Sequence, residues 1–538
     1  MTVTPSAPTG EQEISGVAVD IARLEQSEIP IVTASEAGHG VIGGQTLVSG
    51  TWTVGARLIS RVIDLVTMIV LAHILHPKDF GMVAIAMTVV YIVEAALELP
   101  VSQALVRLDV MLPEHYDTAF TLGLIRGVVL STIVCLVSWP FAHFYGDMRL
   151  VPLVCVLSIA PASRGLISPK LASFAKTFNF IPDFTMEFFG KLAAFAFAIG
   201  IALMARNYWA VAAGTLVAPL VAAIISYFLA PYRPRLSLSQ LPAFSGFLGW
   251  ITAAQVVGAL NWQTDRLLMG KLTSRASLGL FTAANDTSNI PLAALLTPLM
   301  RPLLSAFTAL RNEPLRLARS YQMSSSAVIT LALPILVGEC MIAEPFVRLV
   351  FGEKWLGSVP YLRWLALSLI PTLFAVPLGP LVMAFGKTKI FFKRNLFEIC
   401  IKLPIVVLGA LKFGFMGVIL ARGISEVATV CFCMIIVRRL LGITVPNQLL
   451  AAWRSMTSVV VMWGVLYALM PHLTRSTETV PLALSTLSAV AIGALTYCAV
   501  LYGLWVATGE PHGIEGIAIT RIRGILHMRP RNVVEVSA

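Results

Sequence analysis

Apolar runs of about 20 residues follow one another along almost the whole chain, each long enough to cross the hydrocarbon core of a bilayer as a helix. The segments between them are short and rich in proline, glycine and charge, such as HPKDFG at 76–81. This pattern predicts an all-α integral membrane protein. About fourteen spans are expected, at 46–75, 80–104, 115–143, 149–169, 179–204, 208–230, 244–270, 276–305, 317–344, 358–385, 392–411, 414–437, 455–471 and 480–507.

Composition supports this class and limits what else the chain can contain. Of 538 residues, 57% are hydrophobic and 12% are charged, whereas soluble domains carry about 25% charged residues. The spans leave no room for a large soluble domain. Residues 1–45 lack the basic start and apolar core of a signal peptide, so we expect a disordered cytoplasmic tail there. Residues 508–538 are expected to form a basic cytoplasmic tail, part of it a helix on the membrane surface.

The lysines and arginines of the connecting segments predict the orientation. With an even number of spans both termini share one side, and most of these residues, including Arg394, fall on that side. Cytoplasmic loops are enriched in lysine and arginine, so we expect both termini in the cytoplasm. Attraction of this face to anionic membrane lipid accounts for the net charge of +11. Nucleic acid is therefore not an expected partner.

A weak internal repeat divides the spans into two sets. Asp64 and Asp265 each lie deep in an apolar run that is followed by a polar turn and then by a glycine, Gly81 or Gly279. The offset is 201 residues at the aspartates and 198 at the glycines, and six spans fit within it. Two parallel six-helix bundles around a shared site at mid-membrane are typical of alternating-access transporters. The predicted organisation is a first lobe at 46–230, a second lobe at 244–440 and two additional helices at 455–507.

Charged residues within the predicted spans need an explanation, since each costs about 3 kcal/mol at mid-bilayer. Arg57, Arg61 and Asp64 follow one another at spacings of four and three, which places them on one face of the first helix. Such residues normally face the interior of a bundle or a watery cavity. The basic members of the set are Arg57, Arg61, Arg126, Arg164, Lys191, Arg266, Arg301, Arg363, Lys402 and Arg422.

Several stretches resemble one family of membrane transporters. They are GARLISRVIDLVTMIVLAHILHPKDFGMVAIAMTVV at 55–90, PVSQALVRL at 100–108, YDTAFTLGLIRG at 116–127, FAHFYGDMRL at 141–150 and FGEKW at 351–355. Over roughly 45–440 the chain resembles the Wzx-type polysaccharide transporters, the lipopolysaccharide biosynthesis flippases of the multidrug/oligosaccharidyl-lipid/polysaccharide flippase superfamily. It departs from their common twelve-span form by two C-terminal spans, which are similar to the extra helices of the lipid II flippases.

The resemblance implies a flippase in the bacterial inner membrane. Such a protein moves undecaprenyl-pyrophosphate-linked oligosaccharide repeat units to the periplasmic leaflet by alternating access, for exopolysaccharide, capsule or O-antigen synthesis. Two six-helix lobes then surround a central cavity that is often cationic. A polysaccharide polymerase and chain-length or export proteins are possible partners.

Arginine suits a pyrophosphate cargo, because its guanidinium keeps its charge and donates paired hydrogen bonds to phosphate. We therefore expect five cavity cations that bind pyrophosphate or acidic sugars: Arg57, Arg61, Arg126, Arg266 and Arg301. An interhelical salt bridge is an equally open role for each of them. Four carboxylates are expected as counter-ions or as carriers of a coupling proton or sodium ion: Asp64, Glu94, Glu98 and Asp265.

Other functions are less well matched by the residues. A multidrug antiporter of the same superfamily would share the fold, but an anionic cargo suits the arginines better. A membrane polysaccharide polymerase would need a longer connection between spans than any in this chain. No G-x-x-x-x-G-K-[ST] loop for ATP occurs, and the seven cysteines lie in apolar segments without metal-site spacing. We expect no enzyme activity, no catalytic residue, no metal and no cofactor.

Overall fold

The computed structural model describes residues 59–60, 62–99, 101–108, 110–176, 179, 181–241, 250–387, 389–473, 478–509 and 516. The tail expected at 1–45 and most of the tail expected at 508–538 lie outside these residues. Arg57 and Arg61 also lie outside them.

All regular secondary structure in the described part of the chain is helical. The longer helices of the first half are α1 (Val62–Ile74), α2 (Pro77–Ala96), α3 (Pro113–Tyr145), α4 (Leu150–Arg164), α5 (Ile181–Ala205) and α6 (Trp209–Leu229). Those of the second half are α7 (Trp250–Leu272), α8 (Arg275–Ala309), α9 (Pro314–Val350), α10 (Val359–Leu369), α11 (Lys389–Leu441), α12 (Trp453–Leu473) and α13 (Thr479–Ala507). Short helices lie between them at Val101–Arg107, Leu171–Lys176, Glu353–Ser358, Pro371–Ala375, Leu378–Ala384 and Val445–Leu450.

The prediction of an all-α, multi-pass membrane protein is confirmed. Ten helices of the described residues are long and apolar enough to cross a bilayer, the run Glu353–Ala384 counting as one of them. Helices α1 and α4 are apolar but shorter, while α7 and the first part of α11 carry several charged residues. The number fourteen therefore stays a prediction.

The two glycines of the internal repeat pack against each other. A Cβ atom on Gly81 would overlap the carbonyl oxygen of Arg275, and one on Gly279 would overlap that of Pro77. Gly279 lies four residues after Arg275, and Gly81 lies four residues after Pro77, so the two contacts are equivalent. Helices α2 and α8 therefore cross at Gly81 and Gly279, with each glycine against the backbone of the other helix. Only glycine, which has no Cβ atom, permits so close an approach of two backbones. The repeat seen in the sequence is a reciprocal contact in the structure.

Helix α11 is a hairpin of two helical arms. Gly414 has φ 56° and ψ −133°, outside the helical region, a left-handed φ that glycine adopts without steric cost. Beyond the turn the arms run close together, because Gly409 and Gly417 face each other with no side chain between their backbones. We call 389–413 the first arm and Met416–Leu441 the second arm. The sequence pattern had divided the apolar run at this place, into 392–411 and 414–437.

The last two helices pack on α9. The Tyr497 hydroxyl of α13 donates to the Thr330 carbonyl at 2.8 Å. The Thr330 hydroxyl in turn lies 2.7 Å from the hydroxyl of Ser455 on α12. These buried side chains satisfy one another, as polar groups in an apolar layer must. Helices α12 and α13 are therefore joined to the rest of the bundle by specific hydrogen bonds as well as by apolar packing.

Candidate functional site

A polar cavity of about 420 Å³ lies in the second half of the chain, between α7, α8, α10 and the two arms of α11. We call it the central cavity. For the described parts of the two predicted lobes, 59–229 and 250–441, we keep the names first lobe and second lobe. Every residue that lines the cavity lies in the second of these ranges, whereas the family resemblance implies a cavity surrounded by both lobes. The ionisable residues that line it are Asp265, Arg266, Arg394, Glu398, Lys402, Arg422 and Glu426. With four basic and three acidic side chains, the described lining has an excess of one positive charge.

One wall of the cavity is built around Asp265 of α7. Its carboxylate lies 3.0 Å from the Lys402 ammonium on the first arm and 3.6 Å from the Arg422 guanidinium on the second arm. The side chains of Asp265 and Lys402 are each only 5% exposed. Lys402 also donates to the Asn261 carbonyl at 2.9 Å, and Arg422 donates to the Asn285 side-chain oxygen at 3.0 Å. One carboxylate thus ties α7 to both arms of the hairpin.

Arg266 faces a different helix from Asp265, the residue before it. Successive residues of a helix point about 100° apart, so Asp265 reaches α11 while Arg266 reaches α8. The Arg266 guanidinium lies 2.8 Å from the carboxylate of Asp286. Asp286 is 46% exposed whereas Arg266 is 10% exposed. The cation is held in the wall, and its partner is the more accessible of the two.

A third group lies at the start of the first arm. Arg394 lies 3.4 Å from Glu398, one turn further along the helix. Between them Asn395 donates its amide to the Ala254 carbonyl of α7 at 2.9 Å, and its own carbonyl accepts from the Asn261 amide at 3.1 Å. These bonds hold the first arm against α7 along the length of the cavity.

The first lobe also contains an aspartate–lysine ion pair between two helices, like that of Asp265 and Lys402. The Asp64 carboxylate of α1 lies 2.7 Å from the Lys191 ammonium of α5. Lys191 also lies 3.0 Å from Glu187 and bonds the Ser60 carbonyl at 3.3 Å. In each lobe, an aspartate of the first helix is therefore paired with a lysine of the fifth, when the short helices are left out and the two arms of α11 are counted separately. These helices are α1 and α5 in the first lobe, and α7 and the first arm of α11 in the second.

The remaining predicted residues of the first lobe do not line the central cavity. Glu94 of α2 pairs with Arg164 of α4 at 2.7 Å. Arg126 of α3 donates its Nε to the Leu97 carbonyl at 2.8 Å and does not line the central cavity. Glu98 is exposed and has no ion pair among the described residues.

Of the five cations expected in a cavity, Arg266 lines the central cavity, as does the carboxylate Asp265. Arg57, Arg61 and the side chain of Arg301 lie outside the described residues. Sequence reasoning placed Lys402 and Arg422 among the charges within spans but did not select them for the site. It counted Arg394 as a loop residue, although the structure places this side chain in the cavity wall.

An apolar groove of about 600 Å³ runs beside the cavity, between α8, α9, α12 and α13, and it also reaches Leu65 of α1. Helix α8 borders both spaces. Asn285 and Asn289 line the central cavity, while Thr287 and Pro291 line the groove. A charged space and an apolar space thus share one helical wall.

One end of the bundle is closed by contacts between the lobes. The Tyr145 hydroxyl donates to the Leu267 carbonyl at 2.9 Å. The fully buried Trp355 donates its indole N–H to the Ala72 carbonyl at 2.9 Å. Asp147, between α3 and α4, lies 2.6 Å from Arg275 at the start of α8. Together with the Gly81–Gly279 contact, these residues form what we call the closed end.

Electrostatics strengthen the closed end. Burial raises the pKa of Asp147, but hydrogen bonds from Arg149 and the positive charges of Arg275 and Arg149 outweigh it and hold the pKa below its usual value. Both oxygens of Asp147 accept from Arg149, at 3.0 Å each. Asp147 therefore stays ionised and bridges two arginines.

Known proteins of solved structure share this fold. The structure is similar to the lipid II flippase MurJ in an inward closed conformation, with a TM-score of 0.67 and 14% identity over 84% of this chain and 98% of MurJ. It is also similar to an inward-facing multidrug resistance MATE family transporter, with a TM-score of 0.53 and 14% identity over 71% of this chain and 95% of that one. These likenesses establish the transporter fold.

Two relatives are similar in sequence over most of their length. The lipopolysaccharide biosynthesis protein WzxC of Escherichia coli (strain K12) is 24% identical over 418 residues, 76% of this chain and 84% of the relative. The succinoglycan biosynthesis transport protein ExoT of Rhizobium meliloti (strain 1021) is 24% identical over 341 residues, 63% of this chain and 67% of the relative.

A family model described as "Polysaccharide biosynthesis protein" matches residues 70–360, more than half of the chain. The match begins in α1 and continues through the Gly81–Gly279 contact and the cavity residues of α7 and α8. The family predicted from the sequence motifs is thereby confirmed: this chain belongs to the polysaccharide biosynthesis protein family of membrane transporters.

Proposed function

We propose that this chain is a flippase that moves a lipid-linked oligosaccharide across the bacterial inner membrane. The expected substrate class is the undecaprenyl-pyrophosphate-linked repeat unit used for exopolysaccharide, capsule or O-antigen synthesis. The names of the relatives support this class, since WzxC is a lipopolysaccharide biosynthesis protein and ExoT is a succinoglycan transport protein. On this proposal the chain transports its substrate and does not alter it chemically.

The observation that carries the proposal is the charged cavity beside an apolar groove. A lipid-linked sugar has a strongly anionic, hydrophilic head and a long hydrocarbon tail. The central cavity offers ammonium and guanidinium groups, whereas the groove offers an almost wholly apolar lining. Because α8 borders both, the head can enter the cavity while the tail remains in the groove or in lipid.

Arg266 is the proposed first contact for pyrophosphate. Its partner Asp286 is nearly half exposed, so Asp286 can move into water while phosphate oxygens take its place on the guanidinium. Such an exchange keeps the arginine paired throughout, which avoids a lone buried charge. Arg57, Arg61, Arg126 and Arg301 remain proposed contacts for other states of the transport cycle.

The carboxylates are proposed as counter-ions rather than as coupling sites. Asp64 and Asp265 each lie within 3.0 Å of a lysine ammonium. A fixed ammonium occupies the place that a mobile cation would need. Glu94 has a comparable partner in Arg164.

The closed end supports alternating access as the transport mechanism. In the predicted orientation, with both termini in the cytoplasm, the closed end faces the periplasm. We propose that the lobes separate there, around the Gly81–Gly279 contact, to release the sugar after the cytoplasmic side has closed.

The experiment is complementation of a deletion strain, with polymer in the medium and lipid-linked oligosaccharide in the cytoplasmic leaflet measured together. The wild-type chain should restore polymer and empty the trapped pool. Arg266→Ala should leave polymer low and the pool full, while Arg316→Ala, which removes an exposed arginine paired with Glu313 one turn away, should behave as wild type. A deletion strain with unchanged polymer and an unchanged lipid-linked pool would contradict the proposed function and favour drug export.

A further inference from the structure

A second polar cavity, of about 520 Å³, lies away from the central cavity. It is enclosed by α9, α10, α12 and α13, so that the additional pair of helices forms one of its walls. We call it the peripheral pocket. The residues that give it its character are Glu344, Arg348, Arg363, Trp463, Tyr467 and Leu482.

The arginines of the peripheral pocket lie near the ends of their helices, where spanning helices meet the membrane surface. Arg348 is two residues before the end of α9, Arg363 is four residues after the start of α10, and Leu482 is three residues after the start of α13. At about 1.5 Å per residue these positions are within about 6 Å of their helix ends. The end of α9 leads into Glu353–Ser358 and the buried Trp355, so the pocket is at the same level as the closed end.

The arginines of the peripheral pocket have unused hydrogen-bonding capacity. Glu344 lies 3.5 Å from Arg363 and 3.8 Å from Arg348, which is longer than a charge-assisted hydrogen bond. It is the one carboxylate within ion-pair distance of either arginine among the described residues. Two guanidinium groups and one carboxylate leave a net charge of +1, with planar donors available to an anion.

The aromatic wall indicates that the anion belongs to a lipid. The rings of Trp463 and Tyr467 are stacked, with centroids 5.4 Å apart. Trp463 is 46% exposed and Tyr467 is 66% exposed. Both lie on the outer surface of α12, and the outer surface of a spanning helix contacts lipid. Tyr467 is six residues before the C-terminal end of α12, about 9 Å from it, on the side nearer the lipid headgroups, where tyrosine is enriched. Trp463 is midway along α12, ten residues from each end, at the depth of the acyl chains.

We propose that Arg348 and Arg363 bind the phosphate of an anionic glycerophospholipid, with its acyl chains along the exposed surface beside Tyr467. A phosphodiester carries one negative charge and matches the net +1 of the pocket. A pyrophosphate carries more charge and needs more donors. The central cavity has the same net charge of +1 but four basic side chains, against two in the peripheral pocket. The peripheral pocket is therefore a site for a resident membrane lipid, at the junction between α12–α13 and the second lobe.

The test is a lipid titration of the purified full-length chain in detergent, with bound lipids resolved by native mass spectrometry. The probes are phosphatidylglycerol, phosphatidylethanolamine and undecaprenyl pyrophosphate. Phosphatidylglycerol should bind the wild-type chain more tightly than phosphatidylethanolamine. Arg363→Ala should weaken phosphatidylglycerol by about tenfold, since one charge-assisted hydrogen bond is lost. Arg316→Ala, at the other end of α9, should leave binding unchanged.

Glu344→Gln gives the sharper result because it predicts a gain. Removing the competing carboxylate raises the net charge of the pocket to +2, so phosphatidylglycerol should bind more tightly than to wild type. Weaker or unchanged binding by Glu344→Gln would overturn the proposal, as would equal binding of phosphatidylethanolamine by the wild-type chain. Displacement of phosphatidylglycerol by a lower concentration of undecaprenyl pyrophosphate, blocked by Arg363→Ala, would assign the pocket to the transported lipid instead. None of these outcomes depends on export activity, so the result is separate from the proposed function.

Discussion

Replacing Lys402 by methionine tests whether the buried pair with Asp265 holds the second lobe together. Both side chains are 5% exposed, and their charged atoms are 3.0 Å apart. Removal of one member of a buried pair costs about 3–5 kcal/mol, because the other charge stays in the apolar layer without its partner. Arg422 remains 3.6 Å from Asp265 and compensates in part, which favours a cost of about 3 kcal/mol.

The double variant Asp265→Leu/Lys402→Met separates the charge from the packing. Replacing both members by apolar side chains of similar size removes the unpaired carboxylate, and such replacements are often neutral for stability. The free energy of unfolding should therefore recover part of the loss caused by Lys402→Met alone. The recovery is incomplete because Arg422 keeps its hydrogen bond to Asn285 but loses the Asp265 carboxylate. Lys412→Met is the matched control, since it makes the same change at an exposed position on the same arm.

The assay is reversible unfolding in mixed detergent micelles, followed by far-ultraviolet circular dichroism. Polymer export by the same variants is measured in the deletion strain. A loss below about 1 kcal/mol for Lys402→Met would match an exposed surface pair and refute the buried-pair reasoning. A stable double variant that still fails to export would assign the pair a role in transport besides its structural one.

Three further predictions concern the closed end and the hairpin. Gly81→Ala should lower thermal stability by about 1–3 kcal/mol through overpacking against α8, whereas Gly464→Ala, which has open space around it, should not; equal melting of the two would contradict the close approach. The lowered pKa of Asp147 means that its contribution to stability is present above the ordinary aspartate pKa and disappears as pH falls through the lower folded value. Asp147→Asn should therefore flatten the acid limb of a melting-against-pH curve, and an unchanged limb would exclude this residue as its cause. Gly414→Ala should cost about 1–2 kcal/mol because φ is 56° there, and a fully stable variant would show that the turn can adopt another backbone conformation.

The helix positions were predictable because an apolar run must be satisfied by its own backbone hydrogen bonds within a bilayer. Even the division of the apolar run in α11 followed from the sequence, at the turn where Gly414 is found. The internal repeat was also visible, since Gly81 and Gly279 occupy matching places. What the sequence did not indicate is that these two glycines contact each other, because a repeat specifies equivalent positions but not the axis that relates them.

The site was predictable in kind rather than in detail. Asp64 and Asp265 were recognisable as charges that need partners, but Lys191 and Lys402 lie 127 and 137 residues further along the chain. Only the packing of α1 on α5, and of α7 on α11, brings each pair together. Arg394 was assigned to a loop because charge near the end of an apolar run is typical of the membrane surface. Its direction into the cavity depends on Asn395, which fixes the first arm against α7.

The distribution of ion pairs has a consequence for the energy of opening. Between described residues of the two lobes, the pair Asp147–Arg275 is the one that joins them, and every other ion pair within these lobes stays inside one lobe. On the proposed alternating-access mechanism, each lobe would therefore carry these charges and their counter-charges together. Among the described ion pairs, separation of the closed end would part opposite charges at Asp147 and Arg275, which lie at helix ends where incoming water can solvate both. For the described ion pairs, the large cost of dividing charge inside the membrane would thus be absent from the proposed opening step. The cost that remains would include the close packing of Gly81 against Gly279 and the hydrogen bonds of Trp355 and Tyr145 across the closed end.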